Sequence, residues 1–141
     1  MKQLSRCAQL LRRYDYDRYL TGLFAPGDRR EALYALYAFN LEIARTREAV
    51  SEPMLGQIRL QWWREAIAEA VDGKARRHEV VEPLASAIEA HALPRAALDR
   101  LIDARETDLS DVPPANLAEL TDYARRTGGG IARLAGALLG A

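Results

Sequence analysis

A metal-bound diphosphate is the first chemistry that the spacing of this sequence suggests. One face of a predicted helix, at intervals of three and four residues, carries Tyr37, Leu41, Ala44 and Glu48. A helix that binds Mg²⁺ for a diphosphate needs oxygen ligands on successive turns, because magnesium requires hard oxygen atoms. Ala44 offers no oxygen, Glu48 alone is a weak candidate ligand, and Arg45 and Arg47 add positive charge beside it. The sequence therefore predicts no metal site on this face.

For the other potentially reactive side chains, the sequence pattern favours structural roles over catalytic ones. A second acidic group consists of Asp103, Glu106 and Asp108, next to Arg105. It could be a metal cluster, but acids near the end of an exposed helix more often form a solvated face. Glu42 and Glu48 lie on different helical faces, so ion pairs with Arg45 or Arg47 are the preferred interpretation. We predict no catalytic residue, and Cys7 is included in that prediction.

Aromatic residues at helical spacing could line a channel for an apolar chain or form ordinary core: Tyr37, Phe39, Trp62 and Trp63. Neighbouring residues point about 100° apart on a helix, so we expect one tryptophan in the core and the other at a contact or cavity wall. The helices that carry these residues are joined by a short "SEP" turn. We therefore expect them to pack antiparallel, with Tyr37 and one tryptophan at a shared apolar pocket.

Length and composition restrict the class of protein. The 141 residues, of which 49% are hydrophobic, suit a single domain spanning 1–141 with its own core. Lys plus Arg and Asp plus Glu each number 20, and this balance argues against a dedicated nucleic-acid partner. The single cysteine excludes an internal disulfide. No apolar run approaches the roughly 18 residues of a membrane span, and the N-terminus lacks a signal-peptide core, so we expect a soluble cytoplasmic protein.

The elements that must position these side chains are all helical, because no segment alternates with period two. The predicted helices span 4–13, 29–50, 53–72, 79–93, 95–109 and 117–141. Capping boxes are predicted for Asp28 with Glu31 and for Asn116 with Glu119. The glycines at 128–130 should interrupt the last helix.

The last predicted helix ends on the apolar stretch "LAGALLGA" without a polar cap. Its stripe of Ile131, Leu134 and Leu138 must be covered by something. We expect either a protein partner or self-association through this helix, or further chain in a longer protein.

The stretch "LYALYAFNLEIARTRE" resembles the first aspartate-rich region of the squalene/phytoene synthase family, Tyr-Ala-Phe-Cys-Arg-x-x-Asp-Asp-x-x-Asp. Residues 37–39 match, Leu41 replaces the diphosphate-binding Arg, and Ala44 replaces the first aspartate. Arg45 and Glu48 stand at the other two aspartates. "LQWWREAI" resembles the family's Trp-Arg signature, and "DARETDLSDVPPANLAELTDYARRTGGGIARLAGALLG" resembles its Asp-Leu turn and the two helices after it. The resemblance covers nearly the whole chain but only the N-terminal half of a family member.

Within that family, the branch that includes the mitochondrial complex I assembly factor is more similar. The shared features are an Asp-Tyr-x-x-Tyr-Leu opening at 15–20, Ala-Phe-Asn-x-Glu at 38–42 and Val-Ser-Glu at 50–52. This resemblance implies an all-α orthogonal helical array, like the N-terminal half of the isoprenoid synthase fold, that encloses an apolar cavity. In this branch the fold persists while the metal-binding aspartates are degraded.

The resemblance implies a non-catalytic pseudoenzyme that acts as an assembly factor or as a lipid- or protein-binding scaffold. The alternatives are a Mg²⁺-dependent head-to-head prenyl transferase and a plain structural helical domain. No cofactor is expected, and Mg²⁺ only if the enzyme hypothesis holds. An apolar lipid or prenyl ligand and a peripheral membrane contact also fit. The candidate ligand residues are Tyr37, Leu41, Ala44, Glu48, Trp62 and Trp63.

Overall fold

The computed structural model describes residues 3–140, and these residues form helices and loops without any strand, which confirms the all-α class. The α-helices are α1 (Arg6–Tyr14), α2 (Tyr16–Leu23), α3 (Arg30–Ala44), α4 (Thr46–Ala49), α5 (Pro53–Val71), α6 (Val81–His91), α7 (Arg95–Ala104), α8 (Leu117–Ala124) and α9 (Gly130–Leu138). A 3-10 turn at Arg105–Leu109 follows α7, and a π-helical turn at Arg125–Gly129 joins α8 to α9.

Helix α3 is the centre of the fold. Every residue in the range 33–41 is buried, so the helix is enclosed around its whole circumference. Helices α1, α2, α6 and α9 pack against it, while α5 packs against α6 and α7. Helices α3 and α5 contact each other through the Phe39–Trp63 ring pair and the Glu42–Arg59 ion pair, and α6 packs against both of them.

The structure has two helix boundaries that the sequence did not predict, one at Asp15 and one at Arg45. Helix α2 begins after Asp15, whose backbone leaves the helical region at φ −148° and ψ 65°. The sequence did not reveal α2 because it buries only Gly22 and therefore lacks an apolar stripe. The second break is at Arg45, which separates α3 from α4. Glu48 consequently lies on a different helix from Ala44.

The two predicted capping boxes have different outcomes. Asn116 caps α8 as predicted, since its Oδ1 accepts a hydrogen bond from the Glu119 amide at 2.9 Å. The box at Asp28 is wrong, because Asp28 precedes the true helix start and makes no cap bond. The carbonyl oxygen of Pro26 instead accepts hydrogen bonds from the amides of Arg29 and Arg30, at 2.9 and 3.0 Å.

The C-terminal helix is covered by its own chain. Ile131, Leu134 and Leu138 are 2%, 5% and 1% exposed, because α9 packs against α3 and α7. The end of α9 also has a polar cap, since Arg29 Nη1 donates a hydrogen bond to the carbonyl oxygen of Leu138 at 3.0 Å. The expectation that a partner, a second copy or further chain must cover this stripe is therefore wrong. The predicted interruption at 128–130 is confirmed as the π-helical turn.

Within residues 3–140, each helix is too short or too polar to cross a membrane.

Candidate functional site

A cleft of about 580 Å³ lies where α3 and α4 meet the 3-10 turn and α8. We call it the helix-end cleft. Its apolar wall is formed by Ala44, Val112, Pro113, Pro114 and Leu120. Its polar wall is formed by Arg47, Glu48, Arg105, Asp108, Asp111 and Tyr123. The cleft is open enough and large enough for a small ligand, so its chemistry depends on whether these polar groups are free.

One polar group of the cleft is a half-buried network of three side chains. Arg105 Nη1 lies 3.4 Å from Asp108 Oδ2 and donates a hydrogen bond to the Tyr123 hydroxyl at 3.1 Å. The Tyr123 hydroxyl in turn donates to Asp108 Oδ1. Burial raises the pKa of Tyr123, and the hydrogen bond to Asp108 raises it further, so the phenol is protonated at neutral pH. These three groups are therefore joined in one network through Arg105 Nη1.

The other cation of the cleft is also occupied. Arg47 Nη1 donates hydrogen bonds to the carbonyl oxygens of Asp108 and Ser110 at 2.8 and 2.9 Å, and Nη2 pairs with Asp111. Glu48 is exposed and lies 3.8 Å from Arg45 Nε. The guanidinium of Arg45 turns away from the cleft and stacks over the Tyr14 ring at 4.1 Å.

A magnesium-bound diphosphate does not fit these side chains. Ala44 contributes no oxygen, and the Asp108 carboxylate is already paired with Arg105 and accepts a hydrogen bond from Tyr123. Among residues 3–140, no three His, Cys, Asp or Glu side chains converge as a metal site. Arg47 bonds through both terminal nitrogens and Arg105 through Nη1, so a phosphate would have to compete with existing partners at both guanidiniums.

The acidic group at 103–108 is divided between two partners. Asp103 Oδ1 accepts hydrogen bonds from Arg64 Nε and Nη2 at 3.1 and 2.9 Å, and Glu106 pairs with the same guanidinium. Asp108 points to the helix-end cleft instead. Asp103 and Glu106 are 60% and 45% exposed, which agrees with the predicted solvated face, although both pair with Arg64. The predicted partners of Glu42 are wrong, since Glu42 pairs with Arg59 at 3.2 Å, across to α5.

The two tryptophans border a second space, of about 390 Å³, which we call the tryptophan cavity. Trp63 is 2% exposed and meets the Phe39 ring edge-on at 5.4 Å, whereas Trp62 is partly exposed. The expectation of one core tryptophan and one wall tryptophan is thus confirmed. Tyr37 does not border this cavity; its ring lies under the Arg18 guanidinium at 5.6 Å. The tryptophan cavity is therefore not the expected pocket shared by Tyr37 and a tryptophan.

His78 lines the tryptophan cavity and caps the start of α6. Its Nδ1 accepts hydrogen bonds from the amides of Val80 and Val81, at 3.1 and 3.3 Å. The Nδ1 atom is therefore an acceptor, which places the imidazole proton on Nε2. The ring packs 5.1 Å from Trp62 and 5.4 Å from Trp63. Sequence reasoning missed this role, because histidine is not among the residues that usually cap a helix.

Cys7 is buried in the core, and its thiol is not a nucleophile. Burial raises the pKa of Cys7 to about 12, with additional contributions from Glu31 and Glu79. The thiolate fraction at neutral pH is correspondingly negligible.

The family model described as squalene/phytoene synthase matches residues 11–141. The chain belongs to the squalene/phytoene synthase family. The NADH dehydrogenase (ubiquinone) complex I, assembly factor 6 of Homo sapiens is 34% identical over 121 residues, which cover 86% of this chain and 36% of that protein. The protein of the same name from Mus musculus is 35% identical over 134 residues, covering 95% and 40% of the two chains. This chain thus spans well under half the length of these relatives.

A solved structure shows the same fold. The crystal structure of a dehydrosqualene synthase in complex with ligand superposes with a TM-score of 0.81 at 17% sequence identity. The match covers 94% of this chain and 45% of that chain. The expected isoprenoid synthase fold is therefore present in this family member, over slightly less than half the length of the synthase.

The structure divides the candidate ligand residues of this family member among three places. Ala44 and Glu48, which the resemblance aligns with metal-binding aspartates, both line the helix-end cleft. Leu41, 7% exposed, and Tyr37, 8% exposed, are buried in the core around α3. The tryptophans lie at their own cavity. Tyr123 was not among the predicted site residues. The usable signal was the family resemblance, in which Asp108 belongs to the Asp-Leu turn and Tyr123 to the helix after it.

Proposed function

We propose that this protein is a non-catalytic member of the squalene/phytoene synthase family that acts as a protein-binding scaffold. The observation that carries the proposal is the helix-end cleft, where Arg105 and Tyr123 bond to the Asp108 carboxylate and Arg47 bonds to Asp111 and two carbonyl oxygens. Transfer of a prenyl group from its diphosphate needs the leaving group to be neutralised by metal ions or free cations. At this cleft a bound diphosphate would first have to break existing ion pairs.

The two alternatives receive less support. A Mg²⁺-dependent prenyl transferase would need carboxylates at the positions of Ala44 and Arg45. A plain structural domain would not leave an open cleft and an exposed apolar ridge on one small fold. Mg²⁺ is accordingly no part of the proposal, and a location in the cytoplasm or at a membrane surface remains a prediction.

We expect the purified protein to release no pyrophosphate from farnesyl or geranylgeranyl diphosphate in the presence of Mg²⁺. The reason is that Ala44 and Leu41 supply neither a metal ligand nor a phosphate-binding cation. A colorimetric pyrophosphate assay measures this, with an active dehydrosqualene synthase as the positive control. Magnesium-dependent release above that of heat-denatured protein would refute the non-catalytic proposal.

An exposed apolar ridge on α5 supports the scaffold part of the proposal. Met54 and Ile58 are 72% and 60% exposed, and Trp62 continues the same face one turn later. A groove of about 500 Å³ lies on one side of this ridge and the tryptophan cavity on the other. Apolar residues at intervals of four beside grooves fit an amphipathic helix of a partner protein. The relatives' names suggest that the partner belongs to respiratory complex I or its assembly intermediates.

Loss of this protein is expected to lower the amount of assembled complex I in cells that express it. The wild-type gene should restore the NADH:ubiquinone oxidoreductase activity of their membranes, whereas Ile58→Asp should not, because the charge interrupts the α5 ridge. Val71→Asp is the matched control, since Val71 is 41% exposed at the end of the same helix, off the ridge. Unchanged complex I after deletion would refute the assembly role. Full rescue by Ile58→Asp would refute only the assignment of the ridge.

A further inference from the structure

A cleft of about 370 Å³ between α7 and α9 has an apolar floor. We call it the α7–α9 cleft. Ala97 and Leu101 contribute to the floor from α7, and Leu134 and Ala137 contribute from α9. The leucines are 2% and 5% exposed, so the alanines present most of the accessible floor. Gly130 lets the two helices approach, because a Cβ atom there would lie 2.8 Å from Leu101 Cδ2. The floor therefore offers carbon atoms, and no buried polar group, to a ligand.

The rim of the same cleft is basic. Arg100, Arg126 and Arg133 line it together with one acid, Asp103. Asp103 does not balance these cations, since its carboxylate accepts two hydrogen bonds from Arg64. The rim consequently has an excess of positive charge, although the whole chain has a formal net charge of zero.

These guanidiniums are available for a ligand. In the described part of the chain, residues 3–140, the exposed guanidinium of Arg100 has no side-chain hydrogen bond or ion pair. Arg126 pairs with Asp122 at 3.0 Å, an exposed contact within one helix turn of the kind that contributes little free energy. Arg133 Nη2 makes one long hydrogen bond, 3.4 Å, to the carbonyl oxygen of Arg125.

The π-helical turn holds two of these arginines at one cleft. Arg126 lies within the turn and Arg133 follows it by one helical turn, and both side chains line the α7–α9 cleft. Gly129 leaves room for this arrangement, because a Cβ atom there would lie 3.2 Å from Arg133 Nη1. π-Helical turns cost helix stability and are frequent at binding sites. Here the turn concentrates charge at a surface that has an apolar floor.

We propose that the α7–α9 cleft binds a phosphate-headed lipid, with the phosphate between the arginines and one acyl chain on the floor. Guanidinium groups match phosphate oxygens in a bidentate geometry, and the floor removes methylene groups from water. The cleft volume falls within the range of small-molecule sites. This site is separate from the helix-end cleft, where both cations are already occupied. The proposal is therefore independent of the absence of prenyl transfer.

Octyl phosphate, below its micelle concentration, is the probe, and isothermal titration calorimetry is the measurement. Octyl glucoside presents the same tail without charge, and inorganic phosphate presents the head without the tail. We expect octyl phosphate to bind at least about tenfold more tightly than either of them, since only it uses both rim and floor. Equal affinity of octyl phosphate and either control would overturn the proposal.

Paired variants locate the site. Arg100→Gln combined with Arg126→Gln should weaken binding of octyl phosphate by about tenfold or more, through loss of charge-assisted hydrogen bonds. Arg12→Gln combined with Arg77→Gln removes the same charge from exposed positions outside the cleft and should leave the affinity within about twofold. Circular dichroism checks that both variants fold. An equal loss of affinity in both pairs would show nonspecific attraction and refute the site.

Discussion

Trp63→Ala is expected to lower the free energy of unfolding by about 3–5 kcal/mol. Trp63 is 2% exposed, and its ring contacts Phe39 and His78 at centroid distances of 5.4 Å each. Truncation to alanine would leave a cavity beside the central helix α3 and would release the histidine that organises the start of α6. Equilibrium urea denaturation followed by circular dichroism measures the loss.

The neighbouring tryptophan is the matched control for this prediction. Trp62 is partly exposed, so Trp62→Ala should cost less than half as much as Trp63→Ala. If Trp63→Ala does not fold at all, Trp63→Phe keeps part of the volume and should give a smaller, measurable loss. Equal destabilisation by the two alanine variants would contradict the assignment of Trp63 as the core residue of the pair.

Asp108→Ala is expected to lower the free energy of unfolding by about 2–3 kcal/mol, because it leaves a half-buried cation without its partner. The side chains of Arg105 and Asp108 are only 14% and 17% exposed, so solvent replaces the lost carboxylate poorly. The Tyr123 hydroxyl also loses its acceptor. The same denaturation experiment measures this effect, and the value is below the full cost for a buried pair because some solvent reaches the network.

Asp111→Ala tests the same cleft at an exposed ion pair. The Asp111 side chain is 86% exposed and pairs with Arg47, which keeps two carbonyl acceptors after the substitution. Its loss should cost less than about 1 kcal/mol. A cost for Asp111→Ala equal to that for Asp108→Ala would show that the buried network does not hold the helix-end cleft together.

The network at the helix-end cleft links stability to the proposed lack of catalysis. Asp108 and Arg105 are groups that could serve a diphosphate or a metal if they were free. In this chain they join the 3-10 turn to α8 through Tyr123. Helix α8 buries none of its residues, so this polar contact has a large part in holding it. Recruiting these side chains for chemistry would therefore loosen the wall of the cleft.

Local signals in the sequence were sufficient for the helical class, most helix starts and the family. Pro53 and Pro94 mark the starts of α5 and α7, and Asn116 caps α8, because a proline or a cap residue acts on the next turn of its own helix. The spacing around Ala44 was also sufficient to question a metal site, since a missing carboxylate is visible without coordinates.

Only the tertiary structure decided which apolar surfaces are covered and which polar and charged groups are paired. The cap on α9 comes from Arg29, which lies 109 residues before Leu138 in the chain, and no local sequence pattern predicts such a contact. The same holds for Arg47, which lies 61 residues before the Asp108 carbonyl that it binds. Hydrogen bonds and ion pairs of this kind depend on how helices cross, and helix crossing follows from side-chain packing over the whole core. The sequence therefore determined most of the helices and the missing carboxylates at Ala44 and Arg45. Packing determined which partners the arginines of residues 3–140 find.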